Sequence, residues 1–417
     1  MTLERPTFVE IFPDQRDFGV RTFGMPHNPG FLGVCFGSVI TANSPAAQAG
    51  HPANWQAVLW HEFCHVVTLQ LTRNKMPRWL SEGISVYEEL QANPTWGQSM
   101  TPRYREMVLG KELTPVGDLS AAFLTAKSDL HMQFAYYQSS LVVEFLVARF
   151  GQESLKKILR DLAQGVEINQ AIATNTAPME TIEKDFAAFV RERAEKLAPG
   201  LDWEKPKREE LEQPEPEQLA RHATNYYVLT SQAQKLVREK KWQEAKAPLE
   251  KLIKLFPANN GPDNPYAPLA AAHHGLGETN LERDALAKLA AIDADAVDAF
   301  QRLMELAGAA GDWSAVATNA GRFLAVNPLV SSPYEHLARA SEALGQPKAA
   351  MESYRTLLTL DPPDPAEAHF RLAKLLHTAG DPSAKRHVLQ ALEEAPRFRD
   401  ALRLLAEMEP ASPANKP

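Results

Sequence analysis

Cysteine is nearly absent: Cys35 and Cys64 are the two in 417 residues, too few for a disulfide framework, so a fold of this size must rest on its own cores. No run of eighteen apolar residues occurs, so no membrane-spanning helix is readable. An excess of basic charge is missing too. Lys and Arg number 44 against 52 Asp and Glu, for a net charge of −8, and nucleic-acid surfaces need clustered cations. The segment from Met1 to Pro6 lacks the basic start and apolar stretch of an export signal. The expectation is a cytoplasmic chain, or an exported one if it is the remainder of a longer precursor.

The length exceeds what one core usually serves, so two or three domains are expected. Residues 1–50 read as strands and loops: residues 8–12 alternate, residues 30–33 suggest a turn and residues 34–40 a second strand. Helical spacing then takes over. Residues 53–71 lack Pro and Gly, residues 73–77 break the pattern, and residues 78–90 form a second helix that folds back on the first. A further helix over residues 132–150 stops at Gly151, and amphipathic stretches run to about residue 197. Residues 198–217 combine prolines with many charged side chains, the composition of a solvated linker between separately folded halves.

Beyond residue 218 the sequence repeats. Pro328, Pro362 and Pro396 are 34 residues apart, and Pro257 lies 71 residues before Pro328. In the 331–364 unit Leu337 and Ala338 take the first-helix positions, Gly345 the turn, and Ala350, Tyr354 and Pro362 the second helix and its end. The 226–257 and 297–330 units carry matching residues, whereas 263–296 has Ala294 in place of the closing proline and 365–398 is shifted by one position. This spacing resembles the tetratricopeptide repeat, which implies an all-α solenoid over residues 218–410 that binds a protein partner, with a disordered tail at 411–417.

Chemistry concentrates in the first helical pair. His61 and His65 are four residues apart, so they project from one helix face about a turn from each other and can chelate one ion. Glu62 is offset from that face and can reach a water on the ion. Glu82 follows His65 by seventeen residues, early in the next helix, where antiparallel pairing brings its carboxylate back to the histidines. Glu89 stands two turns further along the same face and could orient a histidine, while Glu88 points elsewhere. Cys64 reads as a small buried hydrophobe.

The pattern His61-Glu62-x-x-His65 followed by Trp79-Leu80-Ser81-Glu82-Gly83 and Tyr87 resembles the gluzincin metallopeptidases. The likeness is to the peptidase MA-like domain in particular and, more distantly, to the aminopeptidase N family. It covers about residues 7–195 and implies an α+β zincin-like catalytic domain over residues 1–197, with a small N-terminal sheet followed by helices.

The resemblance further implies one Zn²⁺ per chain held by His61, His65 and Glu82, with Glu62 as general base in peptide-bond hydrolysis. An edge strand, here residues 34–40, could pair with extended substrate. The Tyr-x-Gln-Ser stretch of the family aligns with Tyr136, which makes its hydroxyl the expected oxyanion donor, with Tyr137 as the alternate and His131 as a weaker candidate for substrate contact. No Gly-x-Met-x-Asn segment precedes His61, which tilts the reading toward an endopeptidase. The alternative is an inactive peptidase-like scaffold acting as a repeat-based adaptor.

Overall fold

In the computed structural model, residues 3, 5–25, 32–48, 53–207 and 222–408 are described. They fall into two compact units, within residues 1–294 and 295–417. The tail expected at 411–417 lies outside the described residues.

The first unit begins with a small sheet. Strands β1 (Phe8–Phe12), β2 (Gly33–Phe36) and β3 (Val39–Asn43) are ordered β1-β3-β2, with β1 parallel and β2 antiparallel to β3. The single strand expected over residues 34–40 is instead a hairpin. Gly37 adopts φ +66°, which side chains resist, and it reverses the chain so that Phe36 pairs with Val39. The turn expected at residues 30–33 lies partly outside the described residues, and Gly33 itself opens β2. Helix α1 (Gln15–Phe23) is capped by Asp14, whose carboxylate accepts from the Arg16 and Asp17 amides, and it buries Phe18 edge-on against Phe12.

Helix α2 (Trp55–Thr72) starts at Asn54, whose side chain accepts from the Gln56 and Ala57 amides. It ends where Arg73 and Asn74 both take left-handed backbone, at φ 54° and 59°. Pro77 then holds an extended conformation and α3 (Arg78–Ala92) runs back along α2. Next come α4 (Pro102–Leu109), α5 (Leu119–Leu124), α6 (Asp129–Phe150), α7 (Gln152–Gln164), α8 (Ile168–Asn175) and α9 (Met179–Glu195).

One continuous core joins them. Trp79, Leu80 and Ile84 of α3 meet Tyr137, Leu141 and Phe145 of α6, with Ile158 and Leu162 of α7 and Phe186 and Val190 of α9. Each such buried side chain contributes about 1.5–3 kcal/mol. The site-bearing helix α3 is thereby held by this core as well as by α2.

Gly83 decides how close that clamp can be. A Cβ there would lie 2.6 Å from the backbone oxygen of Ser139 on α6, a contact no side chain can relieve. Helix propensity alone favours Gly83→Ala by about 0.5–1 kcal/mol. The close approach predicts the opposite sign, a loss of about 1–3 kcal/mol as α3 is pushed off α6. Urea unfolding of the variant reads the sign directly, and a more stable Gly83→Ala protein would contradict the packing.

The stretch expected to be a solvated linker is packed over its described part. Leu201 is 6% exposed, Trp203 rests on Tyr226 with ring centroids 5.0 Å apart, and Arg105 lies over the Trp203 ring at 4.7 Å. Lys205 pairs with Glu106 at 2.7 Å, and the Tyr227 hydroxyl donates to the same carboxylate. Two apolar residues among many charges were enough to fasten this segment, because each found an aromatic or cationic surface. Residues 208–217 of the expected linker lie outside the described residues.

Paired helices follow. The first unit contains α10 (Tyr226–Arg238) with α11 (Trp242–Leu255) and α12 (Tyr266–Gly275) with α13 (Thr279–Ile292). The second unit pairs α14 (Val297–Ala310) with α15 (Trp313–Leu324), α16 (Ser331–Ala343) with α17 (Pro347–Leu358) and α18 (Pro365–Thr378) with α19 (Ala384–Glu394), then ends on α20 (Arg399–Met408). Gly277, Gly311 and Gly345 stand 34 residues apart and each takes φ near +70° after the first helix of its pair. Small residues such as Ala338, Ala340 and Ala350 are fully buried where helices meet. No helix among the described residues is long and apolar enough to cross a membrane.

Candidate metal centre

Two facing helices build the site. The Nε2 atoms of His61 and His65 on α2 lie 3.2 and 3.3 Å from one carboxylate oxygen, Oε2 of Glu82 on α3. The three donor atoms are all within 4.8 Å of one another, on side chains only 11–17% exposed.

The remaining ring nitrogens are occupied. Glu89 Oε1 sits 2.5 Å from His61 Nδ1, and a carboxylate only accepts, so Nδ1 carries the proton and donates. His65 Nδ1 lies 2.8 Å from the Ser81 hydroxyl and 3.4 Å from that of Ser85, which also donates to the His61 carbonyl at 3.2 Å. With Nδ1 protonated, a neutral His61 turns its Nε2 lone pair toward Glu82 Oε2, itself an acceptor, and His65 does the same when its Nδ1 donates to the Ser81 hydroxyl. Acceptors facing one another repel unless a positive charge stands among them. Either a second proton on the rings or a cation supplies it. Burial opposes charging His61, but the Glu82 and Glu89 carboxylates outweigh it and raise its pKa to about 10, so positive charge is favoured at this spot. For Glu82 burial is likewise overcome by the two histidines, and its carboxyl is held well below the usual range. Two imidazoles and one carboxylate are a donor set suited to Zn²⁺, with a position left open. The residues present fit the ion.

Glu62 lies beside this group. It is 5% exposed, and its Oε2 is buried without a hydrogen-bond partner. Burial pushes its pKa up while His61 and His65 pull against it. The β2 backbone forms its other wall: a Cβ on Gly33 would come within 2.9 Å of the Glu62 Cγ. The edge strand β2 therefore runs past the general-base candidate so closely that a side chain at position 33 would force Glu62 to shift.

The two tyrosines part company. Adjacent helical residues point about 100° apart. Tyr137 turns into the core, 3% exposed and stacked on Tyr104 with centroids 4.8 Å apart. Tyr136 turns to the metal side, where Arg78 Nη2 donates to its hydroxyl at 3.0 Å and Arg78 Nε lies 3.5 Å from Glu82 Oε1. Burial and the Glu82 charge push the Tyr136 phenol up to about 12 although Arg78 opposes them, so it stays protonated. His131 is not with this group. It sits at the start of α6, its Nδ1 2.8 Å from the Ser128 hydroxyl and its Nε2 3.1 Å from Glu112. Cys64 is a half-buried free thiol whose pKa burial raises to about 12.

Sequence reasoning missed Arg78, Ser81, Ser85 and Gly33. A signal existed for the first three: Arg78 is four residues before Glu82, Ser81 is next to it, and Ser85 is four residues before Glu89, so polar side chains recur along one stripe of α3.

Residues 39–192 match the Peptidase MA superfamily. That span holds His61, Glu62, His65, Glu82, Glu89 and Tyr136. Further along, residues 229–361 match the family described as the bacterial transcriptional activator domain. The comparison with curated proteins finds no match. Among solved structures, MamA from Desulfovibrio magneticus RS-1 is 18% identical over 41% of this chain and 96% of its own, with a TM-score of 0.31. YrrB, a TPR protein with an unusual peptide-binding site, is 13% identical over 45% and 95% at a TM-score of 0.36. TTC0263, a TPR protein of Thermus thermophilus, is 20% identical over 43% and 96% at 0.26.

Proposed function

We propose that the chain is a zinc-dependent peptidase of gluzincin type whose helical repeats recruit a protein substrate or partner. One observation carries the reading: the three donor atoms of His61, His65 and Glu82 converge beside the buried, unpartnered Glu62 Oε2. His61 and His65 would hold the ion through Nε2, and Glu82 through Oε2. Bound there, zinc lowers the pKa of a water toward neutrality and polarises the scissile carbonyl.

The protein's own groups do the rest. Glu62 accepts a proton from the attacking water and returns it to the leaving amine, a task favoured by the pKa rise that burial gives it. Glu89 and Ser81 fix the ring orientation of the histidines through Nδ1. Tyr136, protonated and facing the same side, donates to the oxygen that gains charge. Strand β2, at one edge of the sheet formed by the described residues and beside Glu62, suits an extended peptide, which would add to the sheet as a strand.

The first test is metal content with hydrolysis. One zinc per chain, peptide cleavage abolished by chelation and restored by zinc, would support the reading; no zinc after supplementation would overturn it. Tyr136→Phe is expected to lower kcat by about 10²–10³ with little change in KM, because its hydroxyl acts on the transition state. Tyr137→Phe changes a core contact and should leave kcat intact. Equal losses in both variants would count against Tyr136 as the donor.

A further inference from the structure

We infer that Arg78 is a positioning residue that ties the metal-facing carboxylate of Glu82 to the hydroxyl of Tyr136; the inference rests on the peptidase reading above. Its guanidinium serves both at once, with Nε 3.5 Å from Glu82 Oε1 and Nη2 3.0 Å from the Tyr136 oxygen. An i,i+4 ion pair on an open surface would be worth little. Three features separate this one from that case.

First, Glu82 divides its oxygens. Oε2 faces both histidines and Oε1 faces Arg78, so the guanidinium resists the rotation that would exchange them. Second, guanidinium has donors and no lone pair, so the Tyr136 oxygen is the acceptor in its bond with Arg78. The single phenolic proton cannot point back at Arg78. It is left to donate elsewhere, which is what an oxyanion donor requires. Third, Arg78 is walled in from a separate element: Phe123 of α5 lies under the guanidinium at 4.9 Å and meets the Tyr136 ring edge-on at 5.2 Å.

The helix does not explain the residue. Arg78 is the first residue of α3, where a cation opposes the helix dipole, and its side chain is 43% exposed, so it contributes little to the core. Charge alone does not explain it either. A planar fork can hold two acceptors in fixed relation, whereas a lysine ammonium, three rotatable donors on a flexible stem, fixes no such geometry.

The test uses the full chain loaded with zinc, as wild type, Arg78→Met, Arg78→Lys, Tyr136→Phe and the double variant Arg78→Met with Tyr136→Phe. Thermal unfolding of each comes first, to show that the fold persists. Two quantities are then read: kcat and KM on a generic peptide, and the rate at which zinc is lost to a chelator. Arg78→Met is expected to lower kcat about 10–100-fold with KM unchanged and to speed zinc loss, since Glu82 is no longer held. On the Tyr136→Phe background the same change should cost much less turnover than on wild type. Arg78→Lys should restore slow zinc loss but not full kcat.

Wild-type kcat and zinc retention in Arg78→Met would overturn the inference, and so would strictly additive losses in the double variant. Failure of the peptidase reading shows up separately, in the wild-type chain: it would bind zinc but cleave no peptide, or bind none. In the first case faster zinc loss from Arg78→Met still supports the hold on Glu82. In the second the inference falls with the reading.

Discussion

Glu82→Ala is expected to give a folded chain that loses zinc on dialysis, with affinity reduced by more than about 100-fold, the upper end of what loss of a supporting partner alone costs. The carboxylate is the one group on α3 that both imidazoles face, and it contributes nothing to the apolar cluster that holds the helix. Ala suits a helix interior, so α3 should persist on Trp79, Leu80 and Ile84. Loss of metal would then be a local result. Metal analysis after dialysis, paired with an unfolding curve, separates it from collapse of the fold. If one equivalent of zinc and full hydrolysis survived the substitution, Glu82 would have no place in the donor set. A variant that failed to fold would point to a structural role for the carboxylate.

How much of this was legible in the sequence depended on the range of the determining interaction. The spacing of His61 and His65 is a property of one helix, and the break at Pro77 is a property of one residue, so both can be read locally. The position of Glu82 needed only the assumption that two adjacent helices pair. The hairpin at Gly37 was hidden because Val34, Cys35, Val39 and Ile40 form an apolar run around Gly37 and Ser38, and a short run of that kind reads as one strand.

The direction of Tyr136 as against Tyr137 depends on which face of α6 meets α3, and that is fixed by Gly83 lying against the Ser139 backbone. Arg78 escaped notice because an exposed cation at a helix start looks like solvated surface until Phe123, 45 residues away, is seen beneath it. The segment around Leu201 and Trp203 misled for the same reason. Its composition is that of a linker, but Arg105 and Tyr226 supply the surfaces that its own neighbours in sequence do not.

Glu62→Gln should separate binding from chemistry. The amide has nearly the same volume, so the close wall at Gly33 is undisturbed, and His61, His65 and Glu82 keep their donors. Zinc should therefore remain at one per chain. What the amide lacks is basicity: it cannot take up a proton from water, and the loss of a general base costs about 10²–10⁴-fold in rate. The Glu62 site is well suited to that role because Oε2 has no protein partner to compete with a water, and because burial raises the carboxyl pKa. A purely structural carboxylate would be expected to be saturated with hydrogen bonds, as Glu183 is by the Val116 and Gly117 amides. Hydrolysis falling to background with zinc retained is the expected result, read by metal analysis and peptide cleavage on one preparation. Zinc lost together with activity would make Glu62 part of the metal's support, and undiminished hydrolysis would assign the base to another residue.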